Sequence, residues 1–163
     1  MNKSELKSRV DYLFDSFDIF ESLNLEYKVI QIRNVSNTKE TGRVAKFSVM
    51  IACSSGDGRI GLGFGKSAEL ILAKEKALAD AQNNLFVVPI TSALSIKHSV
   101  YIKYKSVKLV LKPARIGTGL NVGGATYSIL EMSGIKNIRG KHFGCTGYLN
   151  SSKATILALL SLG

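Results

Sequence analysis

The sequence contains no apolar run approaching about 18 residues, so no segment is long enough to cross a bilayer as a helix. It has two cysteines, Cys53 and Cys145, far apart and outside any C-x-x-C pattern, and two histidines, His98 and His142. No zinc cluster can be assembled from that set, and a reducing compartment fits. Both cysteines are expected to be small buried hydrophobes. The first 22 residues lack the apolar centre of a signal peptide and the acid-poor, Arg-rich character of a transit peptide, so the protein is expected to work where it is made. Acidic residues become scarce along the chain: from Lys97 to Lys141 there is one, Glu131, against nine basic residues.

What is present is a 163-residue chain, 45% hydrophobic, with net charge +10 and a pI near 9.7. That is enough for one ordinary domain or two small ones. Clustered Lys and Arg form the electrostatic footprint of a polyanion partner. The basic residues fall in strand-like and loop segments, not on an amphipathic helix, which argues against a membrane surface.

Residues 4–23 read as an amphipathic helix with Leu6, Val10, Leu13, Phe14 and Phe17 on one face. Strands are expected over 27–35 and 43–53, with a polar loop over 36–42 between them. Asp57–Gly58 is a hairpin turn of D-G type. In the strand that follows, Arg59, Gly61, Gly63 and Gly65 point one way and Ile60, Leu62 and Phe64 the other. Ser67 is expected to cap a helix over 68–86 whose stripe includes Leu70, Ile71, Leu78, Ala81 and Leu85. Beyond a connector over 87–97, apolar parity switches from Val100, Ile102 and Tyr104 to Val107, Leu109 and Leu111, which places a hairpin turn near Lys105–Ser106. A glycine-rich loop over 114–125, a helix stopped by Gly134, a strand or strand-plus-loop over 135–144 and a final helix capped by Ser151 or Ser152 complete the chain.

Two glycine motifs imitate nucleotide sites. Gly56, Gly58 and Gly61 spell G-x-G-x-x-G, but two further glycines at strand spacing follow before any helix begins, so no helix N-terminus meets a pyrophosphate. The "GKS" ending lacks a phosphate loop's first glycine, Ile60 standing there. A glycine face on a strand is instead a close-approach surface, for RNA, a protein neighbour or the chain's own helix. "PARIGTGLNVGGA" resembles the glycine loop of small-molecule kinases of the galactokinase–homoserine kinase type, with Pro113, Gly117, Gly119 and Leu120. The hydroxyl residues those kinases place at the helix start are absent, as are a nucleotide loop and a carboxylate base. Neither histidine sits in a catalytic motif.

Five stretches, "IRNVSNTKETGRVAKFSV", "GDGRIGLGFGKSAE", "KALADAQNNL", "LKPARIGTGLNVGGATYSILEMSGIKNI" and "FGCTGYLNSSKATILAL", together resemble the family of small-subunit ribosomal protein five, bacterial and organellar type. They cover about residues 25–160 in the family's order. The resemblance implies an α+β chain: an N-terminal helical extension over 1–24, a double-stranded-RNA-binding-like domain (α-β-β-β-α) over 25–88, and a βαββα-type C-terminal domain over 89–163.

It also implies a structural constituent of the small ribosomal subunit, not an enzyme, with no cofactor, catalytic residue, metal, membrane or small-molecule substrate. The implied partners are small-subunit rRNA, mRNA where it enters the subunit, and ribosomal proteins four and eight, with effects on subunit assembly and decoding accuracy. The expected rRNA contacts are Arg33, Asn37, Lys39, Arg43, Arg59, Lys66, Lys105, Arg115, Arg139 and Lys141. Gly117, Gly119, Gly123 and Gly124 form the expected protein-partner loop. In the loop Val35–Arg43, Asn37 and Thr41 stand where relatives usually have Lys and Gly, and relatives often have Gly near Tyr104–Ser106. Lysine exceeds arginine sixteen to six, which points to an AT-rich gene and a mitochondrial or plastid ribosome, with the bacterial cytoplasm as alternative. Two other readings stay open: a stand-alone double-stranded-RNA-binding regulator and a small-molecule kinase.

Overall fold

The structure, a computed structural model, describes residues 25–39, 42–56 and 58–162. The helix expected over 4–23, together with Thr41 and Asp57, lies outside the described residues.

The first sheet contains β1 (Glu26–Lys39), β2 (Gly42–Ser54), β3 (Arg59–Ser67) and the short β4 (Phe86–Val87), antiparallel and in that spatial order. Helix α1 (Leu70–Asn83) covers one face. The apolar run Val49–Cys53 is buried on both sides: Val49 and Ile51 pack with Ala73 and Ala77 of α1, whereas Ala52 joins the core shared with the second sheet. A central strand covered on both faces reads as continuous apolar sequence and not as alternation.

Several expectations need correction here. Residues 36–39 and 42 are not loop: pairing runs on from Ser36↔Ala45 to Lys39↔Gly42. The ladder satisfies backbone groups whatever the side chains are, so polar, exposed residues can extend a hairpin. Ser67 does not cap α1; it ends β3 opposite Phe47, and the cap position is Glu69, with no side-chain cap bond. The helix stops at Asn83, where the Asn84 side chain turns back on Asp80, and Phe86–Val87 pair with β3. The buried face of α1 is Ala73, Ala77 and Ala81, while Ile71 is exposed.

The second sheet has the order β5-β6-β8-β7, from β5 (Val100–Tyr104), β6 (Val107–Pro113), β7 (Leu120–Asn121) and β8 (Ile138–Gly144). Helices α2 (Gly124–Met132) and α3 (Tyr148–Leu160) lie on one side of it. Along the chain the order is β-β-β-α-β-α. The residue-by-residue reading has the hairpin, helix, strand and helix but not β7, which pairs with β8 inside the segment expected to be glycine-rich loop; the βαββα-type order implied by the resemblance puts a helix after the first strand. The hairpin turn falls where the parity switch placed it, with Lys105 at φ 51°. Gly134, at φ 84°, follows the end of α2. Ser151 and Ser152 do not cap α3 but lie inside it, buried, and the cap position is Gly147.

One apolar core joins the two sheets. Ala52 and Ile60 from the first, with Val88 just after it, pack with Val107, Leu109, Leu111, Ile129, Leu130 and Leu159 from the second and its helices. At the surface Lys28 pairs with Glu131 of α2, its ammonium 5.8 Å from the Tyr127 ring.

Candidate nucleic-acid interface

Alternate residues of a strand share a face, and cross-strand partners share it too. In the second sheet, Val107, Leu109 and Leu111 point at the helices. Their neighbours Lys108, Val110 and Lys112 therefore point away, and the register brings partners to each. Lys108 stands between Lys103 and Phe143, Val110 between Tyr101 and Lys141, and Lys112 opposite Arg139. This face holds five cations and no carboxylate. Among the described residues no element covers it: all five cations are exposed, and so are Tyr101 (59%) and Phe143 (51%). Cations interleaved with exposed rings suit a sugar–phosphate backbone with unstacked bases. Lys103 and Lys108, and Lys112 and Arg139, are like charges directly opposite, an arrangement that destabilises a sheet until an anion neutralises it.

A smaller basic patch lies on the first sheet, on the face away from α1. Arg33, Ser48 and Lys66 form one row across three strands, and Lys46 lies on the same face beside Val35. Phe64 projects from the adjoining row, 45% exposed. Its backbone N–H, on the open edge of β3, donates to the Asp80 carboxylate at 2.9 Å. The rest of this face, from Ala52 to Ile60, is covered by the second unit.

The glycine face of β3 lies against the chain's own helix. A Cβ at Gly61, Gly63 or Gly65 would fall well within 3.0 Å of the carbonyl oxygen of Ala81, Ala77 or Ala73, respectively. The spacing follows from geometry: four residues of helix rise about 6.0 Å and two residues of strand about 6.6 Å, so every second glycine meets every fourth alanine. RNA has no access to that face, and of the three occupants considered the helix is the one present.

The second glycine loop is pinned from below. Asn137, 5% exposed, accepts hydrogen bonds at Oδ1 from the backbone N–H groups of Gly117 (3.0 Å) and Gly119 (3.4 Å) and donates from Nδ2 to the Ala93 carbonyl at 2.9 Å. Gly117, Gly119 and Gly124 have φ of 87°, 76° and 62°, and space around all three is open. The loop is thus a shaped, outward-facing backbone surface.

The expected contact residues fall in separate places. Arg33 and Lys66 meet on the first sheet, and Arg139 and Lys141 on the second. Arg43 and Arg59 are exposed but share the side of the first sheet that carries α1. Asn37 is exposed opposite Val44, and Lys39 ends β1 opposite Gly42. Lys105 occupies the hairpin turn with its ammonium 5.7 Å from the Tyr104 ring, and Arg115 is exposed at the start of the glycine loop. Lys46, Lys103, Lys108, Lys112, Tyr101 and Phe143 belong with these sites and were missed. The parity that identified Val100, Ile102 and Leu109 as inward already places Tyr101, Lys103 and Lys108 outward.

Of the cysteines, Cys53 is buried and Cys145 is exposed, contrary to the expectation that both are buried. Burial pushes the Cys53 thiol up, partly offset by its bond with the Gly61 backbone. Burial holds the His142 imidazole below its usual value, opposed by the Gly123 backbone. Among the described residues, no group of His, Cys, Asp and Glu could hold a metal ion.

Two sheets, a shared core and uncovered basic faces put the chain among α+β proteins built to meet a polyanion. Residues 25–89 match "Ribosomal protein S5, N-terminal domain", and residues 102–163 match "Ribosomal protein S5, C-terminal domain". The small ribosomal subunit protein uS5 of Blochmanniella floridana is 36% identical over 85% of this chain and 78% of its own length. That of Synechocystis is 37% identical over 87% of this chain and 82% of its own. The uS5c protein of Spinacia oleracea is 33% identical over 96% of this chain, which spans about half (48%) of that relative. The chain belongs to the ribosomal protein S5 family. Its glycine loop falls within the C-terminal S5 match, so the kinase-like motif is not a kinase site.

Proposed function

We propose that the uncovered face of the second sheet is the chain's main contact with small-subunit rRNA, with Arg33, Lys46 and Lys66 as a second contact. As a member of its family the chain is a structural, non-enzymatic constituent of the small ribosomal subunit. The observation that carries the rRNA reading is the two pairs of directly opposed cations, Lys103–Lys108 and Lys112–Arg139, on a face with no carboxylate. Such contacts position a protein on RNA and do not read its sequence.

The remaining expected contacts, Asn37, Lys39, Arg43, Arg59, Lys105 and Arg115, lie around these faces and would meet flanking RNA. The loop from Gly117 to Gly124, held by Asn137, is proposed as the surface for a neighbouring ribosomal protein, protein four, with protein eight and mRNA as further neighbours. We place the domain boundaries after residues 24 and 88. Relatives include plastid uS5c proteins and bacterial uS5 proteins, and we propose an organellar ribosome, on the lysine excess. Hydroxyl-radical footprinting of the small-subunit rRNA tests the main contact. Protection lost on Lys108→Gln and Lys112→Gln together supports it; an unchanged footprint would refute it.

A further inference from the structure

We propose that a cavity between the N-termini of α2 and α3 binds a phosphate group that carries a proton, as inorganic phosphate and terminal phosphomonoesters do. The site adjoins the surfaces described above: Lys141 of the rRNA face is in its lining, as are Gly123 and Gly124 of the second glycine loop. The cavity, of about 500 Å³, is bounded by Gly123 and Gly124 at the start of α2, by Tyr148 and Ser151 in the first turns of α3, and by His142 on β8. The lining contains no Asp or Glu.

Four features make this an anion site. Each helix starts with N–H groups that lack an intrahelical acceptor, and the positive end of its dipole points the same way. Neither helix has a side-chain cap or an acidic residue in its first turn, so neither helix offsets that charge itself. Ser151 is 3% exposed and its hydroxyl has no partner. A helical side chain tilts toward the helix N-terminus, which aims that hydroxyl at the open end of α3. A buried hydroxyl without a partner is costly, and one beside a cavity calls for an occupant.

The fourth feature selects the occupant. Thr155 Oγ1 has one proton and gives it to the Ser151 carbonyl at 2.8 Å. It must therefore accept from Thr126 Oγ1 at 2.7 Å, and Thr126 in turn accepts from His142 Nε2 at 2.9 Å. A neutral imidazole then carries its proton on Nε2, and Nδ1, buried and without a hydrogen-bond partner, is left as an acceptor, while the Gly123 backbone favours the protonated ring. The ligand that suits the cavity accepts hydrogen bonds from Ser151 and the helix N–H groups and offers one proton to Nδ1. Protonated phosphate does both; sulfate at neutral pH does only the first.

The test is a titration of the full chain, followed by amide NMR shifts, with inorganic phosphate and with sulfate at equal ionic strength. The proposal expects saturable shifts at Gly123, Gly124 and Tyr148 with phosphate, weaker binding of sulfate, and a loss of phosphate affinity of about tenfold or more in Ser151→Ala, tenfold being the lower end for a hydrogen bond to a charged group. A Ser151→Ala spectrum matching wild type without ligand excludes misfolding. Shifts confined to the sheet-face lysines, equal binding of sulfate, or unchanged affinity in Ser151→Ala overturns it. Two RNA oligonucleotides, with and without a 5′-phosphate, then assign the source. The same shifts from the phosphorylated one alone point to an RNA terminus, and shifts from inorganic phosphate only point to free phosphate.

Discussion

Lys103 and Lys108 stand directly opposite one another on the uncovered face of the second sheet, two like charges in the position where a sheet tolerates them least. Replacing one by an acid turns repulsion into attraction. Lys108→Glu is predicted to raise the free energy of unfolding by about 0.2–1 kcal/mol, the range for a cross-strand charge pair, and to weaken binding to small-subunit rRNA. Urea unfolding and a filter-binding assay check the two halves. A surface lysine without a role would move stability alone.

Gly63 lies so close to the Ala77 carbonyl that a methyl group there has no room, and backbone, not a flexible side chain, blocks it. Gly63→Ala is predicted to destabilise by roughly 3 kcal/mol or more, at the upper end for overpacking. Gly123→Ala serves as the contrast, because Gly123 has φ −101° and open space around it. It is expected to lie within about 0.5 kcal/mol of wild type, as surface changes usually do. Chemical unfolding of the two variants separates a glycine required by packing from one that is not.

These two positions also show what the sequence could convey. Alternation along β3 and the parity switch at Lys105 were legible because a strand's faces repeat with period two. What covers each face was not. Gly61, Gly63 and Gly65 define a bare surface in any context, and only the Ala73–Ala77–Ala81 ridge, set by the match of helix and strand rise, says that a helix fills it. Ile71 looked like core because apolarity was weighed above size, whereas the close approach selects alanine and turns Ile71 outward. Ser67 and Ser151 looked like caps because serine favours that position, yet one pairs in a strand and the other is buried inside a helix. Asn137 gave no local signal: its bonds reach Gly117, Gly119 and Ala93, and long-range pairing is invisible one residue at a time.

Asn137 gives a further prediction. Asn137→Ala removes the hydrogen bonds to the N–H groups of Gly117 and Gly119 and to the Ala93 carbonyl; Gly117 is exposed and the other two half-buried, so water replaces part of them and the loss is about 0.5–1.5 kcal/mol per bond. Amide hydrogen exchange is expected to accelerate at Gly117 and Gly119 while β6 keeps its protection. Exchange unchanged at those two glycines would contradict the pinning role.

His142 makes stability depend on pH. Burial lowers its folded pKa below the usual 6.5. Between the lowered value and about 6.5 the unfolded chain binds more protons than the folded one, so stability falls as pH drops through that window, and above it the His142 contribution is constant. Urea midpoints at pH 7.5 and pH 5.5, in buffers without phosphate, are predicted to show this loss in the wild type. His142→Asn is predicted to show less of it.

The most direct test of the rRNA interface is the salt dependence of binding to small-subunit rRNA, wild type against Lys108→Gln with Lys112→Gln. Each phosphate contact contributes roughly 0.7–0.9 to the slope of log K against log salt. Loss of two contacts is predicted to weaken binding at low salt and flatten the slope by about 1.5. An unchanged slope with unchanged affinity would contradict the placement of rRNA on the second sheet's open face.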